Sequence, residues 1–348
     1  MTVCNACRYC EGLCATFQAM SLKRAFDDTD LDYLANLCHN CTACYHDCQY
    51  AEPHEFDVNV PVSMAALRAE SYARYAWPGF LAGLFERNGL VVSVITALLL
   101  SLALSMSAMT IDPMALFGVH AGPGAFYEVI SHGAMVTVAG ATFGFSVLAL
   151  FMGFRRFMKA TGTDVSVTGR AIVAALRDVA TLKYLDGGHG EGCNVTEDDF
   201  SNERRLYHQL TMWGFLLCFA ATCVATVYDY GFGLAAPYAF FSLPVMLGTV
   251  GGIGLIVGPA GLFLVKRRAD PRPMRPAQYG MDYAFLALLF LVSSTGLLLL
   301  AVRETPLMGV TLVVHLGFVL ALFVTLPYGK FVHAIYRFAA LLRFHAER

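Results

Sequence analysis

The chain has 348 residues, of which 57% are hydrophobic and only 14% charged, with a formal net charge of -2. A soluble domain carries about 25% charged residues, so a soluble globular enzyme and a disordered chain are both excluded. The lack of a global basic field argues against nucleic acid as a partner.

Eight of the eleven cysteines fall in the first 48 residues. They form two identical arrays, Cys4, Cys7, Cys10, Cys14 and Cys38, Cys41, Cys44, Cys48. Each reads C-x2-C-x2-C-x3-C, the bacterial ferredoxin run that holds a [4Fe–4S] cluster. A tight local turn brings three thiolates to one cube, and the fourth thiolate of each run ligates the other cluster. The expected sets are therefore Cys4, Cys7, Cys10 and Cys48 for one cluster, and Cys38, Cys41, Cys44 and Cys14 for the other. Disulfides would need an oxidising compartment, and no signal peptide precedes Cys4. Zinc would be satisfied by C-x2-C pairs and leaves the repeated four-cysteine run unexplained. The usual proline after the fourth cysteine is replaced by Ala15 and Gln49. A helix-like stretch between the arrays predicts a helical dicluster ferredoxin-like domain over residues 1–78. Of the remaining cysteines, Cys218 and Cys223 read as small core hydrophobes, and Cys193 as a packed cysteine rather than a redox thiol.

From about residue 89 the chain becomes apolar. Six segments, 90–109, 127–154, 207–230, 240–265, 283–302 and 310–327, each reach the length of a spanning helix. The predicted fold is all-α: a six-span transmembrane domain over 79–348, with a cytoplasmic loop at 155–206, behind the cluster domain. Of the 24 lysines and arginines, all but Arg303 fall on one side of that topology. The positive-inside rule then puts both termini and the 155–206 loop in the cytoplasm, where a reducing milieu suits clusters. The glycines at 248, 251, 252, 254 and 258 do not read G-x-G-x-x-G and lie in no βαβ unit, so they predict close helix packing, not a dinucleotide site.

Intramembrane ionisable residues are functional candidates. The topology sorts four histidines into two layers, His132 with His315 at the outer face and His208 with His333 at the inner face. Facing imidazoles across a bundle can hold a six-coordinate b-type haem, which leaves no open position for oxygen and suits electron transfer. For a single histidine, a hydrogen bond to a neighbouring helix is the competing explanation; four in paired layers favour one or two haems. His333 follows Pro327 and Gly329, where a continuous helix could bend. His39, His46 and His54 read as tuning or covering the clusters.

These features resemble the CitB-like family of tricarballylate-utilization membrane proteins. The likeness runs through the loop from Tyr184 to Cys193 (YLDGGHGEGC), the block Arg204-Arg205-Leu-Tyr-His208, Leu217–Thr222 and Phe241-Ser-Leu-Pro244, and covers essentially the whole chain. The family tends to have a second histidine after His208, where this chain has Gln209. The spacing of His315 and His333 is also similar to that in the gamma subunit of nitrate reductase. The resemblance implies a soluble FAD-dependent tricarballylate dehydrogenase as partner, whose flavin is reoxidised through the clusters and haem to quinone in a bacterial inner membrane. A quinol-oxidising subunit of the nitrate or heterodisulfide reductase type is the alternative; no broken-helix binding site or inverted repeat points to a transporter. Glu128, one helical turn before His132, and Lys330 are candidate residues for a quinone or proton site. The glycine cluster at 187–192 predicts a tight backbone approach, with the haem edge a candidate neighbour.

Overall fold

A computed structural model describes residues 2–162, 166–188, 190–196 and 199–348. Among them, the one sheet is a two-stranded antiparallel ladder, β1 (Cys193–Asn194) with β2 (Phe200–Ser201); the rest of the regular structure is helical. The cluster segment contains α1 (Thr2–Cys7), α2 (Ala15–Ser21), α3 (Asp28–Leu37), α4 (Ala43–His46) and α5 (Val60–Tyr75). Asp27 starts α3 through a capping box with Asp30, and Asn59 caps α5 ahead of Pro61. Both signals satisfy orphan N–H groups at a helix start.

The membrane part follows with α6 (Asn88–Thr110), the short α7 (Pro113–Phe117) and α8 (Ala125–Val129), α9 (His132–Thr161), α10 (Gly169–Thr181), α11 (Glu203–Phe232), α12 (Leu243–Arg268), α13 (Tyr279–Val302), α14 (Met308–Thr325) and α15 (Val332–Ala346). Six of these helices, α6, α9, α11, α12, α13 and α14, are long and apolar enough to cross a membrane. They coincide with the six expected segments.

Two boundaries depart from expectation. The second span begins at His132, because Ser131 caps it by accepting from the Ala134 N–H at 3.4 Å. Glu128 therefore sits on the separate helix α8, and the expected shared face with His132 does not form. The sixth span ends at Thr325. A 3-10 turn over Leu326–Tyr328 and Gly329 separate it from α15, since Pro327 cannot continue the hydrogen-bond ladder. His333 thus lies on α15 and not on a continuation of the helix that bears His315.

That break lets α15 fold into the cluster segment. Ala339, Ala340, Leu341 and Phe344 of α15 join Phe17, Met20, Tyr33, Leu34 and Tyr72 in one buried core. The Tyr33 hydroxyl donates to Glu347 at 3.1 Å, and the Arg343 guanidinium lies 4.0 Å from the Tyr33 ring centre. The two ends of the chain are thereby built into one unit beside the bundle.

The glycines of α12 work by close approach. A Cβ at Gly251 would lie 2.8 Å from the Gly214 carbonyl oxygen, and one at Gly258 would lie 2.5 Å from Thr211 Oγ1 and 2.7 Å from its backbone nitrogen. Small residues allow α11 and α12 to touch backbone to backbone, as expected for packing in a bilayer. Gly258→Ala should cost about 1–3 kcal/mol, read as a lower unfolding midpoint in detergent. Gly140→Ala, where nothing lies within 4 Å of the new methyl, should leave that midpoint unchanged.

Candidate metal centres

The cysteine arrays line two neighbouring cavities. The first is bordered by Cys4, Cys7, Cys10 and Cys48. The second is bordered by Cys14, Cys38, Cys41 and Cys44. Cys44 also reaches the wall of the first. The local turns explain the gathering. Arg8 and Thr42 adopt left-handed backbone, with φ of 55° and 71°, and each turns the chain inside a C-x2-C step. Cys14 is extended before α2, which carries its thiol away from its own array.

The two cavities differ in their surroundings. The first opens beside Tyr9 and Gln49, both exposed. The second is covered. Tyr184 lines it, and Thr42 donates to the Asn194 carbonyl at 3.3 Å. Gly188, at φ +88°, lies so close to Leu13 that a Cβ would fall 2.4 Å from the Leu13 carbonyl oxygen. The tight approach expected of the 187–192 glycines is therefore made to the cysteine loop ahead of Cys14, not to a haem edge; His189 lies outside the described residues. Cys193 is buried and packs with Cys41 in the same lid.

Burial and the neighbouring thiols Cys48 and Cys4 push Cys10 up to about 12. Burial, with Cys38 nearby, pushes Cys14 to about 11. Cys41 and Cys44 are also raised well above the ordinary thiol range, again first by burial. Thiols so disposed ionise readily only against a metal charge. A four-iron cube holds its thiolates further apart than one ion does, and at least four thiols line each cavity.

Of the four candidate histidines, the structure brings two together. His208 on α11 and His333 on α15 have ring centres 6.1 Å apart with planes at 80°. Two imidazoles bound to one iron at about 2 Å each, from opposite sides, also have centres about 6 Å apart. The His333 Nδ1–H donates to the Lys330 carbonyl at 2.5 Å, leaving Nε2 as the free lone pair, the arrangement that ligating histidines favour. Burial, with Arg337 and Lys330 beside it, keeps His333 well below the ordinary imidazole range and so neutral. Among the described residues, the buried His208 Nδ1 has no hydrogen-bond partner.

The expected outer pair is not assembled. Ser146 of α9 donates to the Phe323 carbonyl of α14 at 2.5 Å, which sets those positions level. Counting back along two like-directed helices, His315 is level with residue 138, and His132 lies six residues further out, about 9 Å. His132 Nε2 instead pairs with Asp229 at 2.8 Å, and His315 Nδ1 with Thr295 Oγ1 at 3.1 Å. Glu128 pairs with His120 at 2.5 Å. Lys330 is paired with Asp282 at 2.7 Å, and Asp282 also holds Lys266. Burial lowers Lys330 to about 8 despite Asp282.

Two arginines join this site, and their spacing from the histidines is visible in the sequence. Arg204 precedes His208 by four residues, and Arg337 follows His333 by four. Arg204 donates to the Asn40 carbonyl at 2.5 Å and to that of His39 at 3.3 Å. Arg337 donates to the Cys38 carbonyl at 2.7 Å. Each histidine of the inner pair is thus one helical turn from an arginine that grips the cysteine loop.

A cleft of about 520 Å³ lies between α6 and α9 on the floor of α14, lined by Val92, Ile95, Phe145, Thr325 and Tyr328. Its walls are almost wholly apolar, and Tyr328 closes the end nearest the cluster segment by donating to the Trp77 carbonyl at 3.0 Å.

Comparison with known proteins finds two matches along the chain. Residues 84–348 match the family described as citrate utilization protein B, and residues 1–74 match its Fer4-like domain. The chain belongs to this family. The citrate utilization protein B of Escherichia coli is 48% identical over 357 aligned positions, covering 100% of this chain and 91% of the relative. No solved structure matches the chain. The Fer4-like match supports iron–sulfur centres in the N-terminal part.

The cavity linings predict how cysteine variants should group. Cys48→Ser should lose the same electron paramagnetic resonance (EPR) signal as Cys4→Ser, and Cys14→Ser the same as Cys38→Ser, each with roughly half of the bound iron gone. Grouping Cys48 with Cys38 would contradict the exchange of fourth ligands.

Proposed function

We propose that this protein is a membrane electron carrier. It would take electrons from a reduced soluble flavoprotein at the exposed cysteine site and deliver them through the covered site and the His208–His333 pair to quinone. The observation that carries the reading is the direct join between the covered cysteine site and the inner histidine pair. Arg204 and Arg337 each hold the 38–40 backbone and sit one turn from one of the two histidines. Ferredoxin-type clusters and a bis-histidine b-type haem supply one-electron chemistry when bound.

Each group of residues has a part. Cys4, Cys7, Cys10 and Cys48 hold one cluster near the surface, where a partner can approach. Cys38, Cys41, Cys44 and Cys14 hold the other beneath the 184–194 lid, away from water. His208 and His333 offer two neutral imidazoles to one iron. The cleft between α6 and α9 admits a long apolar quinone from the lipid. Lys330 is the better placed of the two candidate proton-site residues, since it follows Tyr328 of the cleft by two residues while Glu128 is tied to His120 at the other end of the bundle. Quinone takes up two electrons and two protons, with the protons drawn from the side that carries the basic loops.

Orientation is part of the proposal. The distribution of basic residues supports a cytoplasmic cluster segment, 155–206 loop and termini, and the family resemblance supports a bacterial inner membrane. The partner is a soluble FAD-dependent dehydrogenase of a tricarboxylate. Tricarballylate follows from the family resemblance, and the relative's name points to citrate use.

The test is a pyridine haemochrome assay on purified variants. His208→Ala and His333→Ala should each abolish the b-type absorbance and flavin-to-quinone transfer. His132→Ala should keep both. Haem retained in both inner variants, or lost in His132→Ala, would remove the inner pair from the route.

A further inference from the structure

We infer that Arg68, Arg204 and Arg337 form a cationic cage around the covered cysteine site, and that this cage sets its reduction potential above that of the exposed site. The inference rests on the two-cluster reading above and adds to it the direction of electron flow.

The cage is built from three helices. Arg68 of α5 donates to the Cys38 carbonyl and to that of Ala35 at 3.4 Å. Arg337 of α15 donates to the Cys38 carbonyl at 2.7 Å and to that of Asn36 at 3.4 Å. Arg204 of α11 donates to the carbonyls of Asn40 and His39. All six contacts fall on residues 35–40, the backbone around Cys38, and two converge on Cys38 itself.

Among the described residues, none of the three forms an ion pair with a carboxylate. Arg68 is only 5% exposed. A buried guanidinium without a counter-ion is expensive, because backbone carbonyls orient the charge but do not neutralise it. Arg68 and Arg337 donate to the same Cys38 carbonyl, so their charges are held close together. Three mutually repelling cations are stable here only against an anion, and a cluster ligated by Cys14, Cys38, Cys41 and Cys44 is one.

The exposed site is different. Arg8 is the one cation on its wall. It is exposed, and its guanidinium turns to Asn5, donating to that carbonyl at 3.1 Å. Asp47 acts on Cys10 from the other side. Net charge, hydrogen bonding and solvent exposure set cluster potentials. Burial alone would penalise the negative charge added on reduction at the covered site; three guanidiniums reverse that sign. One electron then passes inward from the exposed site to the covered one, with no proton moved and no bond broken.

The experiment is an EPR-monitored redox titration of the full-length protein in lipid nanodiscs, with the two signals assigned by the cysteine variants. In the wild type the covered site should have the higher potential. Arg337→Gln and Arg204→Gln should each lower it and leave the exposed site unmoved, while Arg337→Lys, which keeps the charge, should stay near the wild type. A covered site with the lower wild-type potential would overturn the inference, and this result needs no variant to fold. A common shift of both sites, or an equal shift in the Gln and Lys variants, would also overturn it. Failure of the two-cluster reading is distinguishable: the wild type itself would then contain iron and sulfide for fewer than two clusters.

Discussion

Residues 35–40 are held by arginines from three helices, and the rest of the structure depends on that grip. Cys38 stands at the end of α3, so its thiol faces the covered cavity while its carbonyl faces the bundle. Arg204 and Arg337 reach that backbone from α11 and α15, the same helices that carry His208 and His333. The cysteine site and the histidine pair are therefore tied together by hydrogen bonds from the histidine-bearing helices to the main chain of the cysteine loop. Electron transfer needs short and constant distances. A site on a rigid element, supported by a second layer of bonds, provides them.

The break after Thr325 serves the same end. Had the sixth span run on as one helix, α15 would have stayed in line with the bundle. Pro327 and Gly329 release it, and its apolar face becomes part of the core beneath α3 and α5. The segment 155–206 completes the enclosure. Its α10 packs along α15, and its glycine-rich lid closes over Leu13 and Cys14. Bundle and cluster segment are thus joined by the C-terminal helix and the long loop together.

Much of this was legible in the sequence where the signal is local. The cysteine arrays are local turns, and their spacing is read directly from the chain. The six spans are runs of apolar residues, and hydropathy found all six, with the second displaced towards the C-terminus by the helix start at His132. The α12 glycines were correctly read as packing positions. Contacts between distant segments were not legible. Depth counted from segment ends paired His132 with His315, because it could not see that Ser131 starts a new helix or that Asp229 of α11 would engage His132. Glu128 seemed to share a helix with His132 for the same reason. The glycines at 187–192 announced a close approach, but not that Leu13 was its object. The grip of the arginines on the 38–40 backbone was not legible either, since nothing local shows a guanidinium meeting a carbonyl more than a hundred residues away.

The central claim is that two clusters sit close together at the head of one electron path. Spin-quantified EPR of the fully reduced wild-type protein tests it most directly. Cys44 borders both cavities, so two reduced clusters there must interact magnetically. The account predicts two spins per chain with a spectrum broadened by their coupling. A single spin per chain, or two uncoupled signals, would contradict it.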